Sequence, residues 1–387
     1  MTESAQVNFL NRAAQRTSPD WVRISYASAI VLRFKSGSFT RPFEFGGINL
    51  LLSYDHGCLS DCGYCGLART RPGAYQDKSF IRVEWPLVET DELVSRMARH
   101  QDRLTRLCIS MVTHGFAYRD TLDITRRIRA GVDTPLSLLV APPTLNEERL
   151  RALKEAGADM IGIGLDAVTE NLFRSIRTNV PQGGLNWDQY WRIVGHARDI
   201  FGPWKVNCHT LVGLGETDRD LMGIFERLLD RQIFSYLFCF NPEPASRMAS
   251  HPKSPITRWR RIQLAKFLLE ECGLDPLAFA YQDDGSLARI HAPVELVDTV
   301  IRDGFPFMTN GCPGAGGEPG CTRPMGSWRP SETPRDYPWN PTDADQIEIR
   351  RQLRLEEILR PGPAPSRPPQ ACAPPVAGRP RMRAEEG

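Results

Sequence analysis

Short apolar segments alternate with longer amphipathic segments between residues 48 and 240, and turn-forming residues separate them. Short apolar runs predict strands, and apolar residues at helical spacing predict helices. The predicted strands cover residues 49–54, 107–112, 136–140, 160–165, 205–212 and 236–240. The predicted helices cover residues 91–100, 119–129, 146–156, 187–201 and 218–230. Strands that alternate with helices form parallel sheets, so we expect an α/β fold with a TIM-type (β/α) barrel, partial or complete.

The pattern is weaker in the C-terminal third of the chain. Ser254 and Pro255 predict the N-cap and the first turn of a helix that ends at residue 270. A strand at 277–281 and a helix at 294–302 are expected next. Residues 309–324 are rich in glycine, proline and cysteine, which predicts a loop. Residues 361–387 hold eight prolines and almost no large apolar residue, the composition of a disordered tail.

These patterns divide the chain into four parts. We expect an N-terminal extension at 1–45, a barrel at 46–305, a C-terminal segment at 306–360 and the disordered tail at 361–387. The formal net charge is only +2, and acidic and basic residues are interspersed, so a nucleic-acid partner is not expected. No basic leader and no run of about 18 apolar residues is present, so we expect a cytoplasmic protein without a membrane partner.

Three of the ten cysteines lie within eight residues of one another, directly after the first predicted strand: Cys58, Cys62 and Cys65. Glycines beside them permit the backbone angles that a short loop needs to wrap around an iron–sulfur cube. Three thiolates leave one iron of a [4Fe-4S] cluster without a protein ligand, as in catalytic metal sites. A structural zinc loop and three unrelated cysteines are the alternatives, but zinc sites usually have a second cysteine pair.

The CxxxCxxC spacing, with Tyr64 before the third cysteine, resembles the signature of the radical S-adenosylmethionine (SAM) superfamily. The resemblance implies that a [4Fe-4S] cluster and SAM are cofactors, and that Tyr64 belongs to the SAM pocket. Residues 209–216 are similar to the family's strand and turn beside the adenine, with Leu211 and Gly213 as contacts. Asp166 is similar in position to the carboxylate that binds the ribose, with a helix N-cap as its alternative role. Met111 lies in the segment that replaces the family's glycine-rich run.

Residues 106–216 resemble biotin synthase in the order and spacing of their motifs. Cys108 matches a cysteine of the second strand in that family. Biotin synthase needs two further cysteines for its second cluster, and Leu139 and Asn207 stand at those positions. Biotin synthase activity itself is therefore not expected.

The segment with Cys312-Pro313 and Cys321-Thr322-Arg323-Pro324 resembles a motif of the paired lipoyl synthases, in which two radical SAM proteins act together. The departures are a longer glycine-rich insert and Thr322 in place of asparagine. The resemblance implies an auxiliary [4Fe-4S] cluster held by Cys108, Cys312 and Cys321. Cys208 and Cys239 are rivals for the third position, although strand alternation should turn Cys208 away from the interior.

The resulting hypothesis is a lipoyl synthase type of reaction, in which a SAM-derived 5′-deoxyadenosyl radical allows sulfur to be inserted into a protein-bound octanoyl chain. The expected partners are an octanoylated carrier protein, an electron donor and a second radical SAM lipoyl synthase protein. Two alternatives remain open: a biotin-synthase-like radical SAM mutase or lyase with a single cluster, and a non-enzymatic partner of a true synthase. The iron content of the protein distinguishes the first alternative from the sulfur-inserting enzyme. The absence of SAM cleavage would identify the second alternative.

Overall fold

The computed structural model describes residues 16–39, 45–177, 184–309, 311–326, 329 and 331–365. The predicted tail beyond residue 365 and Asn310 of the cysteine-containing loop lie outside the described residues. Within these ranges, no helix is both long and apolar enough to cross a lipid bilayer.

One sheet of eight strands forms the centre of the molecule. Its strands are β1 (Trp21–Ile24), β2 (Gly47–Leu52), β3 (Leu87–Glu89), β4 (Arg106–Ser110), β5 (Leu136–Val140), β6 (Met160–Asp166), β7 (Val206–Val212) and β8 (Phe234–Cys239). Their spatial order is β3-β1-β2-β4-β5-β6-β7-β8. The six strands from β2 to β8 in this order are parallel, whereas β1 is antiparallel to both β2 and β3.

The expected α/β class is confirmed, and the barrel is partial. Among the described residues, β8 and β3 are the two edges of the sheet and do not pair with each other. A separate sheet of three short strands contains β9 (Phe279–Tyr281), β10 (Leu287–His291) and β11 (Leu359–Arg360).

Helices lie between most successive strands of the large sheet, and four further α-helices of the described residues follow its last strand. They are α1 (Tyr26–Val31), α2 (Thr90–Arg99), α3 (Ala117–Arg129), α4 (Glu147–Glu155), α5 (Glu170–Arg177), α6 (Trp187–Phe201), α7 (Asp218–Asp230), α8 (Ile256–Glu270), α9 (Val294–Asp303), α10 (Asp343–Leu353) and α11 (Leu355–Ile358). All six residues of β2 are buried, as expected for a parallel strand that is covered on both faces. A capping box between Thr217 and Asp220 begins α7, which is why this helix has a sharp start.

Several predicted elements agree with the structure residue for residue, including the strand at 136–140 and the helices at 187–201 and 218–230. The prediction of Ser254 as an N-cap is wrong. Pro255 occupies the capping position in an extended conformation, and α8 begins at Ile256. A proline fixes its own φ but can precede a helix as well as enter its first turn. The short elements β1, β3 and α5 were not expected from the sequence.

Candidate active site

The loop that follows β2 carries three thiols into one cavity. Cys58, Cys62 and Cys65 line a cavity of about 290 Å³, together with residues from all six parallel strands. Burial raises the pKa of Cys58 and raises the pKa of Cys65 well above its usual value, and the adjacent Cys62 adds to both shifts. Neighbouring buried thiols resist ionisation unless a positive centre binds them, so this arrangement suits a metal centre.

The backbone of this loop depends on two glycines. Gly57 has a φ of +65°, and a Cβ atom there would lie 2.3 Å from the ring of Tyr75. At Gly66, a Cβ atom would lie 2.2 Å from the carbonyl oxygen of Ser79. Both positions therefore exclude a side chain. At Gly57 the backbone conformation and the contact with Tyr75 both exclude it, and at Gly66 the contact with Ser79 alone does so.

Backbone hydrogen bonds fix the loop to three other segments. The amide of Leu59 donates to the carbonyl of Thr113 at 2.8 Å, and the amide of Gly63 donates to Ile176 at 2.9 Å. The amide of Met248 donates in turn to the carbonyl of Gly63 at 3.0 Å. The thiols are thus held in place by the ends of neighbouring elements and do not rely on the loop alone.

Tyr64 and Asp166 lie together on the cavity wall. The Tyr64 hydroxyl donates a hydrogen bond to the Asp166 carboxylate, and Arg177 Nη1 lies 3.6 Å from the same carboxylate oxygen. Asp166 has a φ of +60°, because it ends β6 in a turn. Among the described residues, no amide of α5 donates to Asp166, and the first-turn amide of Leu172 is bound instead by the Thr169 hydroxyl at 3.3 Å. The geometry therefore favours a pocket role for Asp166 over a helix cap.

Two other residues that the sequence places beside SAM also line the cavity. Met111 follows β4, and Leu211 lies near the end of β7. Gly213 does not line the cavity. It forms a turn with a φ of +107°, in which the Glu216 carboxylate accepts hydrogen bonds from the amides of Gly213 and Leu214, both at 2.8 Å. Gly213 thus shapes the turn that presents Leu211.

A second group of thiols lines the same cavity: Cys108 on β4, with Cys312 and Cys321 from the C-terminal segment. Burial raises the pKa of Cys108 to about 12, and the charges of Cys321 and Cys312 act in the same direction. Residues that are more than 200 positions apart in sequence therefore meet in one place. We refer to these three cysteines as the second thiol group, and to Cys58, Cys62 and Cys65 as the first.

The C-terminal segment reaches the cavity from the amino ends of the strands. The Gly320 carbonyl accepts a hydrogen bond from Thr105 Oγ1 at 3.1 Å, and Arg106 Nε donates to the Pro313 carbonyl at 2.7 Å. Gly320 also packs against Gly47, the first residue of β2. The first thiol group, by contrast, follows the carboxyl end of β2. The two groups therefore enter the cavity from opposite ends of the sheet.

Polar side chains surround the second thiol group. Asn207 Nδ2 donates to Cys312 Sγ at 3.5 Å, and Cys321 Sγ donates to Asn49 Oδ1 at 3.5 Å. The Arg323 guanidinium stacks over Phe238 at 3.7 Å and also lines the cavity. Asn207, which replaces a biotin synthase cysteine in the sequence comparison above, is thus a neighbour of Cys312.

The rival cysteines have different surroundings. Cys208 is fully buried and does not line the cavity, as strand alternation predicts. Cys239 does line the cavity, and its Sγ accepts a hydrogen bond from Arg335 Nη1 at 3.2 Å. Cys239 therefore remains a rival of Cys108 as a ligand.

The donor groups fit iron–sulfur clusters better than a single metal ion. Among the described residues, no three His, Cys, Asp or Glu side chains converge on a point that one metal ion could occupy. Each thiolate of a cubane cluster binds a different iron, so a cluster needs sulfur atoms around a volume. Three thiols from one short loop, with a cavity in front of them, provide such a volume.

Arg177, Tyr190 and Glu243 also line the cavity and were not identified from the sequence, whereas His209 and Arg323 were named there only as parts of longer motifs. Arg177 donates to the carbonyl of Leu165 at 2.7 Å and to the Tyr190 hydroxyl at 3.2 Å. Burial lowers the pKa of His209 to about 3, so its ring is neutral at ordinary pH. Single charged residues that lie far apart in the sequence form no motif. His209 could have been found, because it lies two residues before Leu211 in the same strand and therefore points to the same side.

Comparison with known proteins matches residues 52–228 to the Radical SAM superfamily. Biotin synthase of Afipia carboxidovorans is 23% identical over 242 residues, which cover 62% of this chain and 60% of that enzyme. Biotin synthase of Rhodopseudomonas palustris is 24% identical over 295 residues, 74% of each chain. The crystal structure of methylornithine synthase has a TM-score of 0.41 at 13% identity and covers 52% of this chain and 56% of that one.

These similarities extend over only part of the relatives. The chain spans 60% of the length of the Afipia carboxidovorans biotin synthase and 46% of that of Cupriavidus pinatubonensis, to which it is 29% identical. The family match ends at residue 228, before the segment that carries Cys312 and Cys321.

Proposed function

Since this chain belongs to the radical SAM superfamily and is biotin-synthase-like within it, we propose that it inserts sulfur into an unactivated carbon chain. The substrate proposed is an octanoyl chain on a carrier protein, as in lipoyl synthesis. One observation carries the proposal: the second thiol group, Cys108, Cys312 and Cys321, lines the same cavity as the first.

The first thiol group would hold a [4Fe-4S] cluster, which when bound supplies the electron that cleaves SAM into methionine and a 5′-deoxyadenosyl radical. Around it, Asp166 and Tyr64 provide polar contacts for SAM, and Leu211 and Met111 provide apolar ones. All six parallel strands line the cavity, and its wall includes the apolar side chains of Leu139 and Phe238. An apolar enclosure keeps water from a radical and keeps the reacting atoms in contact range.

The second thiol group would hold the sulfur source, an auxiliary cluster that is consumed as a substrate. Hydrogen abstraction by the deoxyadenosyl radical gives 5′-deoxyadenosine and a substrate carbon radical. The carbon radical would take one sulfide from the auxiliary cluster: a carbon–sulfur bond forms, the bonds of that sulfur to iron break, and the unpaired electron reduces one ferric iron to ferrous iron. The opposite entry of the two thiol groups supports this order of events, because it leaves the cavity between them for the acyl chain.

The decisive experiment compares the wild type with Cys312→Ala/Cys321→Ala. Both proteins are reconstituted anaerobically and incubated with SAM, a reductant and an octanoylated carrier peptide. We expect the double variant to lose one cluster's worth of iron and all sulfur-containing product, while it still forms 5′-deoxyadenosine. Cys208→Ala is the matched control, because this buried cysteine lies outside the cavity and should change none of the three readouts.

A double variant that keeps all its iron, or that still inserts sulfur, contradicts the proposal. If the wild-type protein inserts no sulfur into the octanoylated carrier peptide, the proposed substrate is wrong. The proposed partners are that carrier, an electron donor and a second radical SAM lipoyl synthase protein that inserts the other sulfur. Titrating each partner into the same assay tests its contribution.

The comparisons with known proteins support a second candidate better than they support lipoyl synthesis. The relatives are biotin synthases by name. This favours the wider biotin-synthase-like group and does not favour lipoyl synthase specificity within it. Within that group, a mutase or lyase would need the first cluster only. About four irons per chain would indicate this second candidate, and about eight would indicate sulfur insertion.

A further inference from the structure

Two buried cations beside the first thiol group have no carboxylate partner among the described residues. The Lys78 side chain is 8% exposed, and its ammonium donates only to the carbonyl of Ala68, at 2.9 Å. Arg23 is 1% exposed and donates to backbone carbonyls of the segment 75–85, including that of Lys78 at 2.5 Å. Both charges therefore rest on neutral partners.

Such an arrangement is costly without a negative charge close by. Burial of an unpaired ion costs several kcal/mol even after relaxation, and buried charges in proteins are normally paired. Among the described residues, the nearby carboxylates form no ion pair with Lys78 or Arg23. Asp61 lies 3.4 Å from Arg247 and accepts a hydrogen bond from Thr70, and Glu243 accepts one from Ser79 at 2.8 Å.

A further cation increases the positive charge around the loop. Arg71 Nη1 donates to the carbonyl of Gly66 at 2.7 Å, so its guanidinium lies against the residue after Cys65. Like Lys78, Arg71 forms no ion pair among the described residues. Arg71, Lys78 and Arg23 are therefore three cations near the loop that form no ion pair among the described residues.

The thiolates of the first thiol group are, with Asp61, a source of negative charge near Lys78. The amide of Ala68 donates to the carbonyl of Cys65 at 3.2 Å, so Lys78 binds the same turn that carries Cys65. Burial and the charge of Arg71 lower the pKa of Lys78, and the charges of Cys65, Cys58 and Asp61 oppose that shift. The contact of Lys78 with the turn of Cys65 therefore places its ammonium on the protein side of the first thiol group.

Arg23 holds the segment that carries Lys78 in place. Its three hydrogen bonds tie the segment 75–85 to β1, and Tyr75 of that segment donates from its hydroxyl to the Leu52 carbonyl at 3.0 Å. The segment therefore packs directly behind the cysteine loop, against Gly57. A strand of the predicted N-terminal extension thus supports the loop from behind.

We propose that Lys78 is the counter-charge of the radical-generating cluster and raises its reduction potential. The inference rests on the proposed cluster at Cys58, Cys62 and Cys65. Reduction adds one electron from an external donor to the cluster and changes no bond, so the negative charge of the site grows by one. A fixed cation in a medium of low dielectric constant stabilises that added charge. Lys78 acts through the cluster and is a positioning residue.

The test measures the reduction potential of the cluster by anaerobic titration with dithionite, followed by electron paramagnetic resonance. Two neutral variants are compared: Lys78→Met, and Lys78→Gln, which keeps an N–H donor for the Ala68 carbonyl. Lys78→Arg keeps the charge, and Lys205→Met is the control at an exposed lysine. Iron is counted in every sample before titration.

The neutral variants should hold at least tenfold less reduced cluster at a given potential, a shift of at least 59 mV to more negative values for one electron. Lys78→Arg and Lys205→Met should titrate like the wild type. Loss of iron in both neutral variants, with retention in Lys78→Arg, would also support the role, since charge alone would then decide whether the cluster is held.

An unshifted potential in a fully loaded neutral variant overturns the proposal. Loss of iron in all three Lys78 variants overturns it as well, because shape and not charge would then be required. If the wild-type protein holds no reducible cluster, the proposed cluster at Cys58, Cys62 and Cys65 is itself wrong. The iron count of the wild-type protein shows this without any variant. Failure of sulfur insertion has no effect on this measurement.

Discussion

Replacement of Asp166 by asparagine separates a SAM-binding role from a structural one. The carboxylate lines the cavity with 19% of its side chain exposed, accepts a hydrogen bond from Tyr64 and lies 3.6 Å from Arg177 Nη1. Asparagine has the same shape and can still accept the Tyr64 hydrogen bond through its amide oxygen. The change therefore removes the charge and leaves most of the local packing intact.

The expected loss follows from the strength of a charge-assisted hydrogen bond. If the second carboxylate oxygen accepts a ribose hydroxyl, neutralisation costs about 1.5–3 kcal/mol of binding free energy, or roughly 10- to 150-fold in the dissociation constant of SAM. The effect on folding should be smaller. The ion pair with Arg177 is long, and Arg177 keeps its hydrogen bonds to Leu165 and Tyr190.

The assay is isothermal titration of SAM into the anaerobically reconstituted protein, with thermal unfolding of the same samples. Tyr64→Phe is the matched control. It removes the hydrogen bond to Asp166 and preserves the carboxylate charge. We expect Asp166→Asn to weaken SAM binding more than Tyr64→Phe does. Unchanged SAM affinity together with a lower melting temperature would refute the reasoning and leave Asp166 as a structural residue.

Three further predictions concern the loop and the cavity. Cys58→Ala should abolish 5′-deoxyadenosine formation, measured by chromatography, and normal cleavage in this variant would remove the central claim. Gly57→Ala should lower stability by about 1–3 kcal/mol in urea unfolding, because φ is +65° and the Tyr75 ring is 2.3 Å from the added carbon; Gly115→Ala, with open space around it, should have little effect. Because burial lowers the pKa of His209 from 6.5 to about 3, the unfolded chain binds a proton that the folded protein does not. Stability should therefore fall by about 1.4 kcal/mol per pH unit between pH 6.5 and pH 3, and less in His209→Gln.

The sequence predicted those features that are local. The six parallel strands are at least five residues long and mainly apolar, and the first thiol group lies within eight residues, so each is visible in a short window. The strand β1 was missed because it has four residues and includes the charged Arg23. Arg23 is buried by its contacts with a distant loop, and no pattern in its own neighbourhood indicates those contacts.

The second thiol group shows where sequence reasoning depends on resemblance. Cys312 and Cys321 could be assigned to a loop from their glycine-rich surroundings, but the approach of that loop to the amino ends of the strands could not be derived. It depends on Arg106 and Thr105, whose hydrogen bonds to Pro313 and Gly320 join positions more than 200 residues apart. Nothing near Arg106 in the sequence indicates such a contact.

The wide separation of the second thiol group along the chain also affects the order in which the protein matures. Translation completes the loop with Cys58, Cys62 and Cys65 early, and these thiols can meet as soon as β2 is in place. The second thiol group does not exist until residue 321 has left the ribosome and folded back against β4. If both thiol groups bind clusters, the two sites become available for iron and sulfide at different times.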